Sequence, residues 1–173
     1  CQLAGSIDLA GNLIIVSGRT ADDVVQVETL QNGDISVSLS HGAETHARVF
    51  DAGSANTIYF FGGDGNDRFT NQSHLRAIAL GQNGNDLLIG GSSRDILLGG
   101  SGNDLLRGGD NDDRLFGGTG NDVLLGDRGN DVVQGQDGSD LLIWNNGDGS
   151  DVMEGGGGVD FVQVNGANGA GDD

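Results

Sequence analysis

An aspartate recurs every nine residues from Asp86 to Asp140, at Asp86, Asp95, Asp104, Asp113, Asp122, Asp131 and Asp140. With small insertions the series extends to Asp67 on one side and to Asp151 and Asp160 on the other. Each carboxylate stands in the sixth place of a unit rich in glycine at its first, second and fourth places, as in GQNGNDLLI (81–89) and GGSGNDLLR (99–107). Glycine lets such a loop curl with its carbonyls pointing inward. Carbonyl oxygens and monodentate carboxylates are hard ligands, and they suit a cation that takes six to eight oxygens in flexible geometry, namely calcium. Many aspartates could also suggest the paired carboxylates of a glycosidase, but their strict phase assigns them to ligation.

The elements that position these residues follow from the same period. Seven units run from Gly81 to Ile143 without a slip, and the eighth place is always aliphatic. One such unit is too small to bury its own apolar side chain, so the units must stack, and the chain is read as a solenoid with no helix. Six residues of turn alternate with three of strand. The eighth-place residues Leu88, Leu97, Leu106, Leu115, Leu124, Val133, Leu142, Met153 and Val162 face the seam, and the seventh and ninth places face outward. Several outward places are also apolar, among them Leu87, Leu105, Val123 and Leu141, and are read as a self-covering ladder, with a docking face for another chain or domain as the alternative.

Composition narrows the partners. Of 26 acidic residues only Glu28, Glu44 and Glu154 are glutamate, the eight basic residues are all arginine, and the net charge is −18. That balance repels nucleic acid and anionic membrane surfaces and leaves multivalent cations as the counter-charge. No run of 18 apolar residues offers a membrane span. His41, His46 and His74 have no zinc-binding spacing, no G-x-S-x-G elbow is present, and Cys1 lacks a base, so no enzymatic activity is expected. Cys1 is the sole cysteine. A chain opening on it is read as cut or cropped, with lipidation the lesser alternative.

Residues 1–52 read as a strand-rich N-terminal cap, with an Asn32-Gly33 hairpin and a worn repeat at 18–26 that keeps Asp23 and Val25 in phase. Residues 53–163 carry the repeats, interrupted by Asn71–Leu80, which has a coil's length but no aspartate, and by the insertion Trp144-Asn145. Residues 164–173 read as a frayed or truncated end.

The units resemble the RTX, or hemolysin-type calcium-binding, repeat G-G-x-G-x-D-x-U-x over residues 62–163. The resemblance implies an all-β parallel β-roll with two units per turn, and calcium held between loops eighteen residues apart. The implied ligands are the ten sixth-place aspartates, with the turn backbone around Gly84, Gly102, Gly120 and Gly138 and around Asn83, Ser101, Thr119 and Asp137. It further implies two columns of loops. The column of Asp95, Asp113, Asp131 and Asp151 should bind more weakly, because Ser93 and Asn111 replace its fourth-place glycines and Arg94 and Arg128 enter its loops. Arg94 is expected to pair with Asp112. The expected function is a calcium-binding repeat module of a secreted, extracellular bacterial protein that folds on meeting calcium, with a possible covalent or non-covalent link to a larger secreted protein. The alternative is a calcium-stiffened adhesive solenoid.

Overall fold

The structure, a computed structural model, describes residues 5–18, 20–145 and 149–165. The readings made for Cys1, for the start of the unit at Asn146 and for the end at 166–173 lie outside those residues. Among the described residues every regular element is a strand. In chain order these are β1 (Ser6–Ala10), β2 (Leu13–Ser17), β3 (Asp23–Thr29), β4 (Ile35–His41), β5 (Glu44–Phe50), β6 (Thr57–Asp64), β7 (Arg68–Gln72), β8 (Arg76–Asn83) and β9 (Leu87–Gly91). They continue as β10 (Ile96–Ser101), β11 (Leu105–Asp110), β12 (Arg114–Thr119), β13 (Val123–Arg128), β14 (Val132–Asp137), β15 (Leu141–Asn145), β16 (Val152–Gly157) and β17 (Phe161–Asn165).

Successive repeats fall in opposite sheets. One sheet runs β1-β2-β6-β8-β10-β12-β14-β16, the other β17-β15-β13-β11-β9-β7-β3-β4-β5. Parallel pairing sets Leu106 beside Leu88 and Leu124 in one sheet, and Leu115 beside Leu97 and Val133 in the other, so eighteen residues make one turn of a parallel β-roll. Those eighth-place side chains are fully buried, and one per strand forms the seam. Burying each contributes about 1.5–3 kcal/mol, so a single coil holds itself together weakly. Outward Leu87, Val123 and Leu141 are half-buried by their neighbours along the sheet, while Leu105 is exposed.

The two ends differ. At the N-terminal end β3, β4 and β5 form an antiparallel meander whose Ile35, Val37, Leu39 and Phe50 close the seam. The Asn32-Gly33 turn that joins β3 to β4 puts Gly33 at a φ of 90°. At the other end β16 and β17 are edge strands, and Val162, in a place buried elsewhere, is 55% exposed.

Candidate metal centre

The turns between the sheets stack directly above one another and bring the sixth-place aspartates into two files. Within each file one carboxylate oxygen is consumed by the fold. The backbone N–H of Asp67 donates to Asp86 Oδ1 at 2.7 Å, Asp86 to Asp104 at 2.7 Å, Asp104 to Asp122 at 2.8 Å and Asp122 to Asp140 at 2.8 Å. Asp140 donates to Asp160 at 3.0 Å. The second file repeats this from Asp95 to Asp113, Asp131 and Asp151, at 2.7, 2.8 and 3.0 Å. Beside the first file runs a ladder of opposite direction, in which Asn85, Asn103 and Asn121 each donate N–H to the side-chain oxygen of the asparagine one coil back.

The other oxygen is left over. Oδ2 of Asp67, Asp86, Asp95, Asp104, Asp113, Asp122, Asp131 and Asp140 is buried and receives no hydrogen bond. A buried acceptor without a donor costs about 1–3 kcal/mol, and more when charged. Burial accordingly pushes these carboxyls up, Asp113 to about 8, Asp67 and Asp104 to about 7, and Asp95 and Asp131 to about 6. Asp86, Asp122 and Asp140 are raised for the same reason. A cation against these oxygens would reverse that penalty.

The space it would use lies at the first-place glycines. A Cβ on Gly81 would collide with Asp86 Oδ2 and approach the carbonyl oxygen of Gly99, and one on Gly99 would meet Asp104 Oδ2 and the carbonyl of Gly117. Gly62, Gly117 and Gly135 repeat the arrangement, as do Gly90 and Gly108 in the second file. Each cradle thus presents a carboxylate oxygen and the carbonyl of the following coil. First-place glycines are required for this room and do not adopt left-handed backbone, whereas second- and fourth-place glycines such as Gly100 and Gly102 do, at φ 119° and 128°. Gln82, Asp127 and Gln136 take the second place at φ 81°, 69° and 78°, a conformation that costs a side-chain-bearing residue about 1–3 kcal/mol.

The remaining sequence-predicted ligands lie around these cradles. Gly84, Gly102 and Gly120 donate N–H to the carbonyls of Ser101, Thr119 and Asp137, and Gly65 donates to that of Asn83, so each carbonyl has one lone pair already engaged. Gly138 donates in the same way to Gly157. Asp151 and Asp160 sit half-buried in the last coil. In the second file Asn111 Nδ2 donates to the carbonyl of Ser92 at 3.0 Å and Ser93 Oγ to that of His74 at 2.8 Å, side-chain donors that compete with a cation for turn oxygens. Arg94 pairs with Asp112 at 2.9 Å, with Arg94 72% exposed. Such a pair contributes about 0–1 kcal/mol, and it lies outside the cradle.

Two features were missed from the sequence. The first-place carbonyls of Gly81, Gly99, Gly117 and Gly135 border the same space as Oδ2 of Asp67, Asp86, Asp104 and Asp122. The asparagine ladder had a readable signal, the recurrence of Asn at the fifth place in Asn66, Asn85, Asn103 and Asn121. Among the described residues no three His, Cys, Asp or Glu side chains gather at one point, and each cradle sets one carboxylate oxygen beside a backbone carbonyl. Oxygen donors of this kind suit calcium better than zinc.

A family model for the RTX calcium-binding nonapeptide repeat, in four copies, matches residues 78–106, 107–142 and 147–168, half of the chain. The chain belongs to this family. Comparison with curated proteins finds no match. The ion that RTX repeats bind is calcium, and this RTX roll is a calcium-binding repeat module. RTX repeats are typical of secreted bacterial proteins.

Proposed function

We propose that this RTX chain is a calcium-triggered folding module of a secreted bacterial protein, disordered over its repeats at the low calcium of a cell interior and ordered outside. The observation that carries the reading is the row of buried, unpartnered Oδ2 atoms from Asp67 to Asp140. Without a cation, stacked anions repel one another, glycine-rich turns cost conformational entropy, and one aliphatic side chain per strand offers little in return. With calcium, binding energy becomes folding energy.

In each cradle the sixth-place Oδ2 and the first-place carbonyl of the next coil would hold the ion, with third- and fourth-place turn carbonyls completing the shell. The bound ion supplies charge neutralisation and a tie between coils. The chain's own residues set the spacing, through the Asp N–H to Oδ1 ladder and the asparagine ladder beside it. Extracellular modules of this kind bind calcium at about 10⁻⁴–10⁻³ M. No helix of the described residues is long and apolar enough to cross a membrane. The module is read as part of, or docked to, a larger secreted protein, and no catalytic role is assigned to it.

Far-UV circular dichroism during a calcium titration tests this, with magnesium as the control. Strand signal should rise in the sub-millimolar to millimolar range with calcium and not with magnesium, which demands a smaller octahedral shell. A chelated sample with full strand content in the repeats would refute the reading.

A further inference from the structure

The two halves of the roll are built on different chemistry. Followed toward the N-terminus, the second file of sixth-place residues passes from Asp113 and Asp95 to Ala77, Ile58 and Ile14, all three fully buried. Ala77 N–H still donates to Asp95 Oδ1 at 2.6 Å, but beyond that point no carboxylate enters the file, and the place is filled by apolar contact. The turn that precedes Ala77 closes itself. Asn71 Nδ2 donates to the carbonyl of Leu75 at 2.8 Å, while Ser73 N–H and Oγ donate to Asn71 Oδ1 at 3.0 and 2.6 Å. Both side chains are buried, so side-chain hydrogen bonds satisfy a loop that elsewhere keeps a spare carboxylate oxygen.

The first file ends differently but to the same effect. Its last member, Asp23 in the worn repeat, has Oδ1 3.0 Å from His41 Nδ1 on the strand that covers it. The seam beneath is also thicker. Phe60 and Phe69 stack at 5.2 Å from opposite sheets, and Leu39 and Phe50 close the end. Beyond Gly81 each strand from β9 to β16 contributes one Leu, Val or Met to the seam. In chain order, the first buried carboxylate oxygen left without a donor is Asp67 Oδ2, which borders the space beside Gly62 together with the carbonyl of Gly81, at the boundary between the halves.

We propose that residues 5–80 form a cation-independent base, which keeps its fold when calcium is withdrawn, and that the coils from Gly81 onward are laid on its strand edges in order as calcium arrives. The second clause rests on the calcium-coupled folding proposed above; the first does not. The base holds its own core and satisfies its own turns except at Asp67, whose spare oxygen borders the first coil beyond it, whereas each later coil needs both an ion and a folded neighbour. The order follows from the strand edges the base presents: β7 and β8 pair with β9 and β10, so the coil that begins at Gly81 is the first to meet a folded neighbour, and each later coil must wait for the one before it.

Hydrogen exchange read by mass spectrometry on the full chain tests both clauses. In excess chelator, peptides from β3, β4, β6 and β8 should stay protected while those from β9 to β17 exchange freely. At stepped calcium, protection should reach β9–β11 at lower concentration than β15–β17. Loss of protection throughout in chelator overturns the base and leaves calcium-coupled folding standing. Protection throughout overturns calcium-coupled folding, and a common onset along the repeats overturns the order. Ala77→Asp places a carboxylate in the apolar file and should make the protection of β8 calcium-dependent. Unchanged protection of β8 in chelator would show that the apolar sixth place is not what frees the base from calcium.

Discussion

Asp104 and Asp122 are joined by a hydrogen bond that uses half of a carboxylate: the N–H of Asp104 donates to Asp122 Oδ1 at 2.8 Å, and Asp122 Oδ2 lies buried beside Gly117 with no donor. One oxygen spaces the coils and the other is the ligand that the proposed function assigns to an ion. Asp122→Asn separates these roles, because its amide oxygen can still accept from Asp104 while the spare oxygen becomes an NH₂ donor. The variant should fold at saturating calcium, with a midpoint shifted to higher calcium and at least one ion fewer by calorimetry. An unchanged ion count would show that Asp122 holds no metal.

Gly117 and Gln136 test the two distinct demands placed on the turn. Gly117→Ala would drive a methyl against Asp122 Oδ2 and the carbonyl of Gly135, so it should remove the ion there and lower the melting temperature in calcium. Gln136 holds a φ of 78°, and Gln136→Gly should relieve that strain at the expense of unfolded-chain entropy, a net gain of about 0.5–1 kcal/mol. Thermal melts at fixed calcium read both. A destabilised Gln136→Gly would mean that the glutamine side chain earns more than its backbone costs.

The period from Gly81 to Ile143 made the roll, its buried file at Leu88 to Leu142 and the cation chemistry legible in the sequence, because a repeat states its packing rule several times over. A single glycine does not reveal whether it is needed for space or for dihedral angle, so the cradle at Gly81 and Gly99 emerged only once the coils were stacked. The apolar sixth places at Ile14 and Ile58 were hidden for a related reason. The β4–β5 insertion lies between Asp23 and Asp67 and breaks the nine-residue phase, and the register that aligns Ile58 with Ala77 is a property of the sheet.

The raised carboxyls make a signed prediction for the cation-free chain. A carboxyl whose folded pKa lies above its unfolded value, near 3.9, binds its proton more tightly when folded. Its contribution is therefore fully present below about pH 4 and is lost as pH climbs through the folded values of about 6 to 8 at Asp95, Asp104 and Asp113. In chelator, strand signal over the repeats should grow from pH 8 to pH 5, measured at low concentration because the isoelectric point is near 4.1. Calcium should reverse the trend, since protons and calcium compete for the same oxygens. A chelated chain that orders more at pH 8 than at pH 5 would contradict the burial of these groups.

The two files of aspartates present the same cradle but different competitors for the turn oxygens, and this difference can be removed. Asn111 Nδ2 and Ser93 Oγ each donate to a carbonyl one coil back, where the first file has glycine and no side-chain donor. A cation that takes the lone pair such a side-chain donor holds binds more weakly by about the net value of that bond, 0.5–1.5 kcal/mol, or roughly two- to thirteenfold in affinity. Calorimetry on the native chain should therefore resolve a tighter and a weaker class of calcium. The double variant Ser93→Gly, Asn111→Gly should merge them by strengthening the weaker class. Arg94→Ala serves as the control: its pair with Asp112 is exposed and lies outside the cradle, so the ion count should not change. If Arg94→Ala altered the count while the double variant did not, the guanidinium and not the turn donors would be what distinguishes the files.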